Sequence, residues 1–216
     1  MKRLLSYFYP ITKKIKSKYS DTLEITWYNG KKHLNTKNAN YSYGSLQQIL
    51  KFGLKQIQLK TVENILVLGL GGGSVIETLR KDFNYKKQIY GVDIDPVVID
   101  LAKEEFSLKT DQNLKIFCQD AVDFLDENTL NFDLIIIDIF IDTKVPNFVL
   151  ANNFWTAIIK TASAKNQIIF NAALHENNDQ KLASIISILN QNKYKTETLN
   201  RVNGTNTILI AKRNHL

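Results

Sequence analysis

An apolar run at residues 64–68, NILVL, enters a cluster of glycines at 69, 71, 72 and 73 and leaves as SVIETLR. Glycine has no Cβ, so Gly69, Gly71, Gly72 and Gly73 let the backbone approach a ligand and present N–H groups from a helix start. About twenty residues later, QIYGVDID ends a second apolar run on Asp93. A carboxylate there can accept hydrogen bonds from both hydroxyls of a ribose. The bland alternative is a tight strand-to-helix turn followed by an unrelated acid. Both features at this spacing favour a site for a nucleoside-bearing ligand.

Such a site needs a sheet behind it. From residue 62 strand-like and helix-like stretches alternate: NILVLGL, QIYGVDI, LKIFCQD, FDLIIIDIF, NQIIFNAA, YKTETLN and NTILIAKR are the strands. Helices are predicted over 74–83, 97–107, 121–127, 150–163 and 178–191, the second with Pro96 at its start, where a missing N–H costs nothing. Strands apolar on both faces that alternate with helices imply a parallel sheet covered on both sides. The last two strands are joined by RVNGT, too short for a crossover, so the seventh should return antiparallel. The expected fold is α/β: a Rossmann-like, doubly wound, seven-stranded sheet with an antiparallel last strand. Ahead of it, TLEITWYNGKKHLNT reads as a hairpin turning at Asn29-Gly30. YSYGSLQQILKFGL then spaces Leu46, Ile49, Leu50 and Leu54 as on a helix. The division expected is a basic N-terminal extension over 1–60 and a ligand-binding domain over 61–216.

The dinucleotide fingerprint needs glycine at its first, third and sixth positions. Counted from Gly69, the sixth is Ser74. Together with the returning seventh strand, this favours S-adenosylmethionine over a dinucleotide. The succession VLGLGGG, GVDID, CQDAVDFL, FDLIIIDIF resembles S-adenosylmethionine-dependent methyltransferases of the seven-stranded class. With DIFIDTKVPNFVLANNFW it is similar, more narrowly, to their spermidine synthase-like branch, over about residues 20–212. The resemblance implies that Asp120 and Ala121 read the adenine and that Ile94 packs on the base. It also implies that Asp138 lies beside the reacting centre.

Departures from the aminopropyltransferase pattern bear on the reaction. The family's glycine loop carries an acid where Gly72 stands. Its strand-four motif has a second acid where Ile141 stands, although Asp142 follows one residue later. A Tyr-Gln-Glu segment is here Tyr43, Gly44 and Ser45. Polyamine substrates are cations and favour carboxylates around them, so these losses weigh towards methyl transfer to a small acceptor. Aminopropyl transfer from the decarboxylated cofactor is the rival, and binding without catalysis is a third reading. Asp138 is the expected catalytic residue, accepting a proton from an amine or hydroxyl nucleophile. Tyr43 and Asp142 are expected to line the substrate side. No NPPY-like tetrapeptide follows strand four, which weighs against methylation of adenine or glutamine amino groups. Tyr41 could join Tyr43 in a lid, and His175 could serve as a base, but both read more simply as a packing and a solvated residue. Cys118 reads as a small buried hydrophobe and Trp155 as core.

The 216 residues, 44% hydrophobic and 23% charged, fit one well-buried α/β domain with a small appendage. No apolar stretch is long enough to span a bilayer. MKRLLSYFYPITKKIK lacks the cleavage site of a signal peptide. A lone Cys118 and three scattered histidines make no metal pattern. A cytoplasmic protein without a membrane association is the expectation. Residues 1–60 carry 12 Lys/Arg against 2 Asp/Glu, a balance of +10, whereas 61–216 carry 16 against 19, or −3. The basic end could bind nucleic acid. Without a recognisable nucleic-acid module it reads better as a solvated or subunit-facing segment, and the resemblance implies a homodimer.

Overall fold

The alternation of apolar runs and amphipathic stretches builds two sheets in the computed structural model of the chain. The structure describes residues 1–36, 40–42, 44–172 and 179–214, and for 40–42, 45 and 179 the backbone alone. Short helix α1 (Lys2–Leu5) precedes β1 (Ile11–Ser17), β2 (Asp21–Tyr28), β3 (Lys31–Asn35) and β4 (Asn40–Ser42), which pair antiparallel in that order. Asn29 and Gly30 make the β2–β3 turn with φ of 48° and 73°, the left-handed pair that a two-residue hairpin requires. The predicted hairpin is thus the centre of a four-stranded sheet. Helix α2 (Ser45–Leu54) leads to the second sheet.

That sheet contains β5 (Asn64–Leu68), β6 (Gln88–Asp93), β7 (Leu114–Cys118), β8 (Phe132–Ile137), β9 (Ala162–Asn171), β10 (Tyr194–Val202) and β11 (Asn206–Arg213). Between them run α3 (Ser74–Lys81), α4 (Pro96–Glu104), α5 (Ala121–Glu127), α6 (Asn152–Lys160) and α7 (Asp179–Gln191). Strand order is β10-β11-β9-β8-β5-β6-β7. β11 runs antiparallel to both its neighbours while the others share one direction. The expected doubly wound sheet with a returning seventh strand is what forms.

Two-sided apolar strands give the sheet two cores. Leu66, Leu68, Ile135 and Ile137 face one layer, with Phe124, Trp155, Ile158, Leu182 and Ile185 of α5–α7. Ile65, Val67, Leu134 and Ile136 face the other, with Ile49, Leu50 and Leu54 of α2 and Val75, Ile76 and Leu79 of α3. Trp155 is fully buried and donates its indole N–H to the Val149 carbonyl at 2.9 Å. The small sheet has its own contact: Leu23, Ile25 and Leu34 pack on Val98 and Leu101 of α4. Cys118 departs from expectation. It is exposed, because β7 is the edge strand and its last residue has a neighbour on one side alone. Among the described residues no helix is long and apolar enough to cross a membrane.

Candidate active site

Register places the chemistry. Leu68 pairs with Val92 and with Ile137, and Ile137 with Phe170. One residue further along each strand, Asp93, Gly69, Asp138 and Asn171 therefore stand side by side at the carboxyl ends of β6, β5, β8 and β9. Strand order reverses between β5 and β8, and a ligand crevice opens at such a point. A cleft of about 490 Å³ lies there, within the range of small-molecule sites. Gly69, Gly71, Asp93, Ile94, Asp120, Ala121, Asp138 and Asp142 all line it. Tyr19 and Ser20 of the small sheet, Leu46 of α2 and Asn206 of β11 complete its rim.

Gly69 has φ +88°, and a Cβ there would sit 2.2 Å from the Asp138 carbonyl oxygen. Any side chain would push β5 from β8 at the level of the acid. Gly71 donates its N–H to Asp93 Oδ2 at 3.1 Å. Gly72 and Gly73 are buried behind the lining. Gly73, at φ +82°, caps α3 and would meet Leu108 at 3.0 Å if it had a Cβ.

Asp93 Oδ1 accepts the Asp95 N–H at 3.0 Å. Burial at 8% exposure makes its charged form costly and outweighs these bonds, so its pKa is pushed up to about 6. Ile94 beside it is 39% exposed, an apolar surface facing the cleft. Asp120 caps α5, its Oδ1 accepting from Val122 N at 2.7 Å, with Ala121 next to it. Asp138 lies half-buried on the cleft floor, where desolvation likewise raises its pKa to about 6 against a hydrogen bond from Asn171. Asp142, at φ 55°, accepts from the Thr36 hydroxyl at 3.0 Å and so ties the β8–α6 loop to the end of β3. Tyr43 and His175 lie outside the described residues, as does the side chain of Tyr41.

Two groupings were not singled out in the sequence, Asn171 with Asn206 and Asp95 with Ser17 and Ser20. Asn171, fully buried, donates from Nδ2 to Asp138 Oδ1 at 2.8 Å and accepts at Oδ1 from Asn206 Nδ2 at 2.9 Å. This chain of amides fixes one oxygen of Asp138. Its signal was an asparagine ending the apolar run QIIFN. Asp95 caps α4 through Val97 N at 3.0 Å and accepts hydroxyl hydrogen bonds from Ser17 and Ser20. Asp followed by Pro at a helix start is a capping signature, but the serines come from another sheet. Among the described lining residues four are aspartates and none is Lys, Arg or His, although the chain has a net charge of +7. Such a cleft favours a cationic centre.

A spermine/spermidine synthase domain model matches residues 47–197. The chain belongs to that family. Polyamine aminopropyltransferase 2 of Aquifex aeolicus is 33% identical over 97 residues, 41% of this chain and 19% of that protein. The eEF1A lysine and N-terminal methyltransferase homolog of Drosophila melanogaster is 30% identical over 80 residues, 36% of this chain and 12% of that protein. The chain thus spans well under two thirds of the length of these curated relatives. Among solved structures, a probable spermidine synthase from Corynebacterium glutamicum has a TM-score of 0.66 at 14% identity, over 95% of this chain and 77% of that one. Human methyltransferase-like protein 13 in complex with SAH has 0.62 at 20%, over 80% and 83%. These two establish the Rossmann-like fold. The curated relatives thus include an aminopropyltransferase and a methyltransferase, the two transfers that the sequence pattern left in competition.

Proposed function

We propose that this chain is an S-adenosylmethionine-dependent transferase that moves a methyl group to a small-molecule acceptor. The observation that carries the reading is the row formed by Asp93, Gly69 and Asp138 at the switch point, with Gly71 tied to Asp93. A ribose seated against Asp93 would place its 5′ substituent along the glycine turn towards Asp138. The residues fit the cofactor: Gly69 and Gly71 line the cleft with bare backbone, and Ile94, Asp120 and Ala121 offer an apolar face and a carboxylate for a base. Bound there, S-adenosylmethionine would supply a methyl group activated on a sulfonium, the carbon–sulfur bond breaking to leave a neutral thioether, S-adenosylhomocysteine. Asp138 orients the acceptor's amine or hydroxyl and takes its proton as the new bond to carbon forms. A carboxyl with a pKa near 6 suits that task at neutral pH. Asn171 leaves it one oxygen for the acceptor.

Aminopropyl transfer from decarboxylated S-adenosylmethionine is the second reading. It is favoured by a cleft whose described lining holds Asp138 and Asp142 and no basic side chain. We also read the protein as a cytoplasmic homodimer. Pairing is supported by the apolar side chains of the first segment, where Leu4, Tyr7, Phe8 and Tyr9 are exposed.

Calorimetry with S-adenosylmethionine, its decarboxylated form, S-adenosylhomocysteine and methylthioadenosine tests the assignment. Tight binding of the carboxylate-bearing pair supports methyl transfer. Preference for the decarboxylated form and methylthioadenosine moves the assignment to aminopropyl transfer. If none of the four binds, the adenosyl reading is wrong.

A further inference from the structure

The β1–β2 turn belongs to the small sheet, yet it reaches the cleft and is fastened there. The hydroxyls of Ser17 and Ser20 both donate to Asp95 Oδ2, the latter at 2.7 Å. Asp95 in turn donates its N–H to Asp93 Oδ1. Ser17 Oγ also accepts the N–H groups of Tyr19 and Ser20 at 3.1 and 3.3 Å, which closes the turn on itself. The segment is therefore registered, through one buried carboxylate, to the acid proposed to hold the ribose. Tyr19 sits between the two serines. It lines both the cleft and the groove beside it, as do Ile94, Gln119 and Asp120, so these four side chains form the ridge at the proposed base-binding end. Tyr19 is 45% exposed and the Lys18 ammonium stands 5.3 Å from its ring centroid, so a purine at this rim would stack on the ring face away from that cation.

We propose that Tyr19 is a ligand-binding residue that walls the nucleobase end of the cleft and stacks on the purine of the adenosyl ligand. This rests on the adenosyl reading above. A planar base covers the phenol face, while the two serines and Asp95 hold the ring at fixed distance from the ribose. The turn thus makes the small sheet part of the cofactor site.

Calorimetry on the wild type, Tyr19→Phe and Tyr19→Ala with S-adenosylhomocysteine and with methylthioadenosine tests this. Loss of a base–aromatic stack weakens binding by about 5- to 150-fold. Tyr19→Ala should lose that much for both ligands, because they share the adenosine part, and Tyr19→Phe should stay near wild type. Limited trypsinolysis of the unmutated protein gives a readout independent of any variant: saturating ligand should slow cleavage after Lys18 more than cleavage elsewhere. Wild-type binding with Tyr19→Ala within about twofold of it, or no selective protection at Lys18, overturns the proposal and leaves the adenosyl reading standing. If the wild type binds neither ligand, both fall.

Discussion

Asp93 and Asp138 are two ordinary carboxyls made unusual by where strands end. Each has an ordinary pKa of 3.8 and a folded value of about 6, in both cases chiefly through burial. Between these values the folded chain holds a proton that the unfolded chain has lost. The stability these two sites contribute is therefore greatest below about pH 4 and declines as the pH rises to about 6. A bound sulfonium acts the other way, favouring the ionised carboxylates. Binding of S-adenosylmethionine should then release protons near pH 6 and tighten as the pH rises from about 5 to 7. Titrations in buffers of different ionisation heat measure the release, and Asp138→Asn should reduce it. An unchanged release in that variant would mean that Asp138 does not face the bound cation. Asp93 was legible in the sequence because it closes an apolar run at the right distance from the glycines. Asn171 was not, since its partners, Asp138 and Asn206, are 33 and 35 residues away along the chain and no local pattern ties them.

At the scale of elements, α4 is the part that joins the two sheets. Its N-terminus is gripped by Ser17 and Ser20 through Asp95. Residue Glu105 just past its end takes Lys32 of β3 at 2.7 Å, and Leu23, Ile25 and Leu34 cover the apolar side in between. The burial contributes more than the ion pair, which is partly exposed and of the kind that contributes about 0–1 kcal/mol. Leu34→Ala should cost about 2–5 kcal/mol, read by denaturant unfolding, and should weaken adenosyl-ligand binding by loosening the β1–β2 turn. Unchanged binding in a folded Leu34→Ala protein would separate the small sheet from the site. The order of strands and helices from residue 62 was readable because each buried strand is a continuous apolar run. β1 was not: ITKKIKS spaces Ile11 and Ile15 four apart between lysines, which is no strand alternation. It is an edge strand with a mostly exposed surface, specified by pairing with β2 rather than by its own pattern.

For the whole molecule, the charge imbalance between the two ends is partly neutralised by the fold. Lys13 and Lys32 meet Glu105, and Lys51 meets Asp82. That arrangement fits a basic extension laid on an acidic domain better than a free surface for nucleic acid. The same extension shows Leu4, Tyr7, Phe8 and Tyr9 to solvent, a cluster of large apolar side chains that pairing would cover. Light scattering should find a dimer at micromolar concentration, and Leu4→Asp with Phe8→Asp should shift it to monomer with the adenosyl site intact. A monomeric wild type would refute the pairing.

The reversed direction of β11 has a further effect. Its first residue, Asn206, lies at the same end of the sheet as the last residues of the parallel strands, so the tip of the β10–β11 hairpin overhangs the cleft. That tip, residues 203–205, is a surface loop between strands already paired with each other, β11 being paired with β9 as well. Residues can be added to or removed from it without disturbing the register of the core, because surface loops accept insertions far more readily than the strands they connect. On the transferase reading proposed above, a change in the length of this one hairpin would reshape the rim of the cleft where Thr205 and Asn206 stand and leave the row of Asp93, Gly69 and Asp138 as it is.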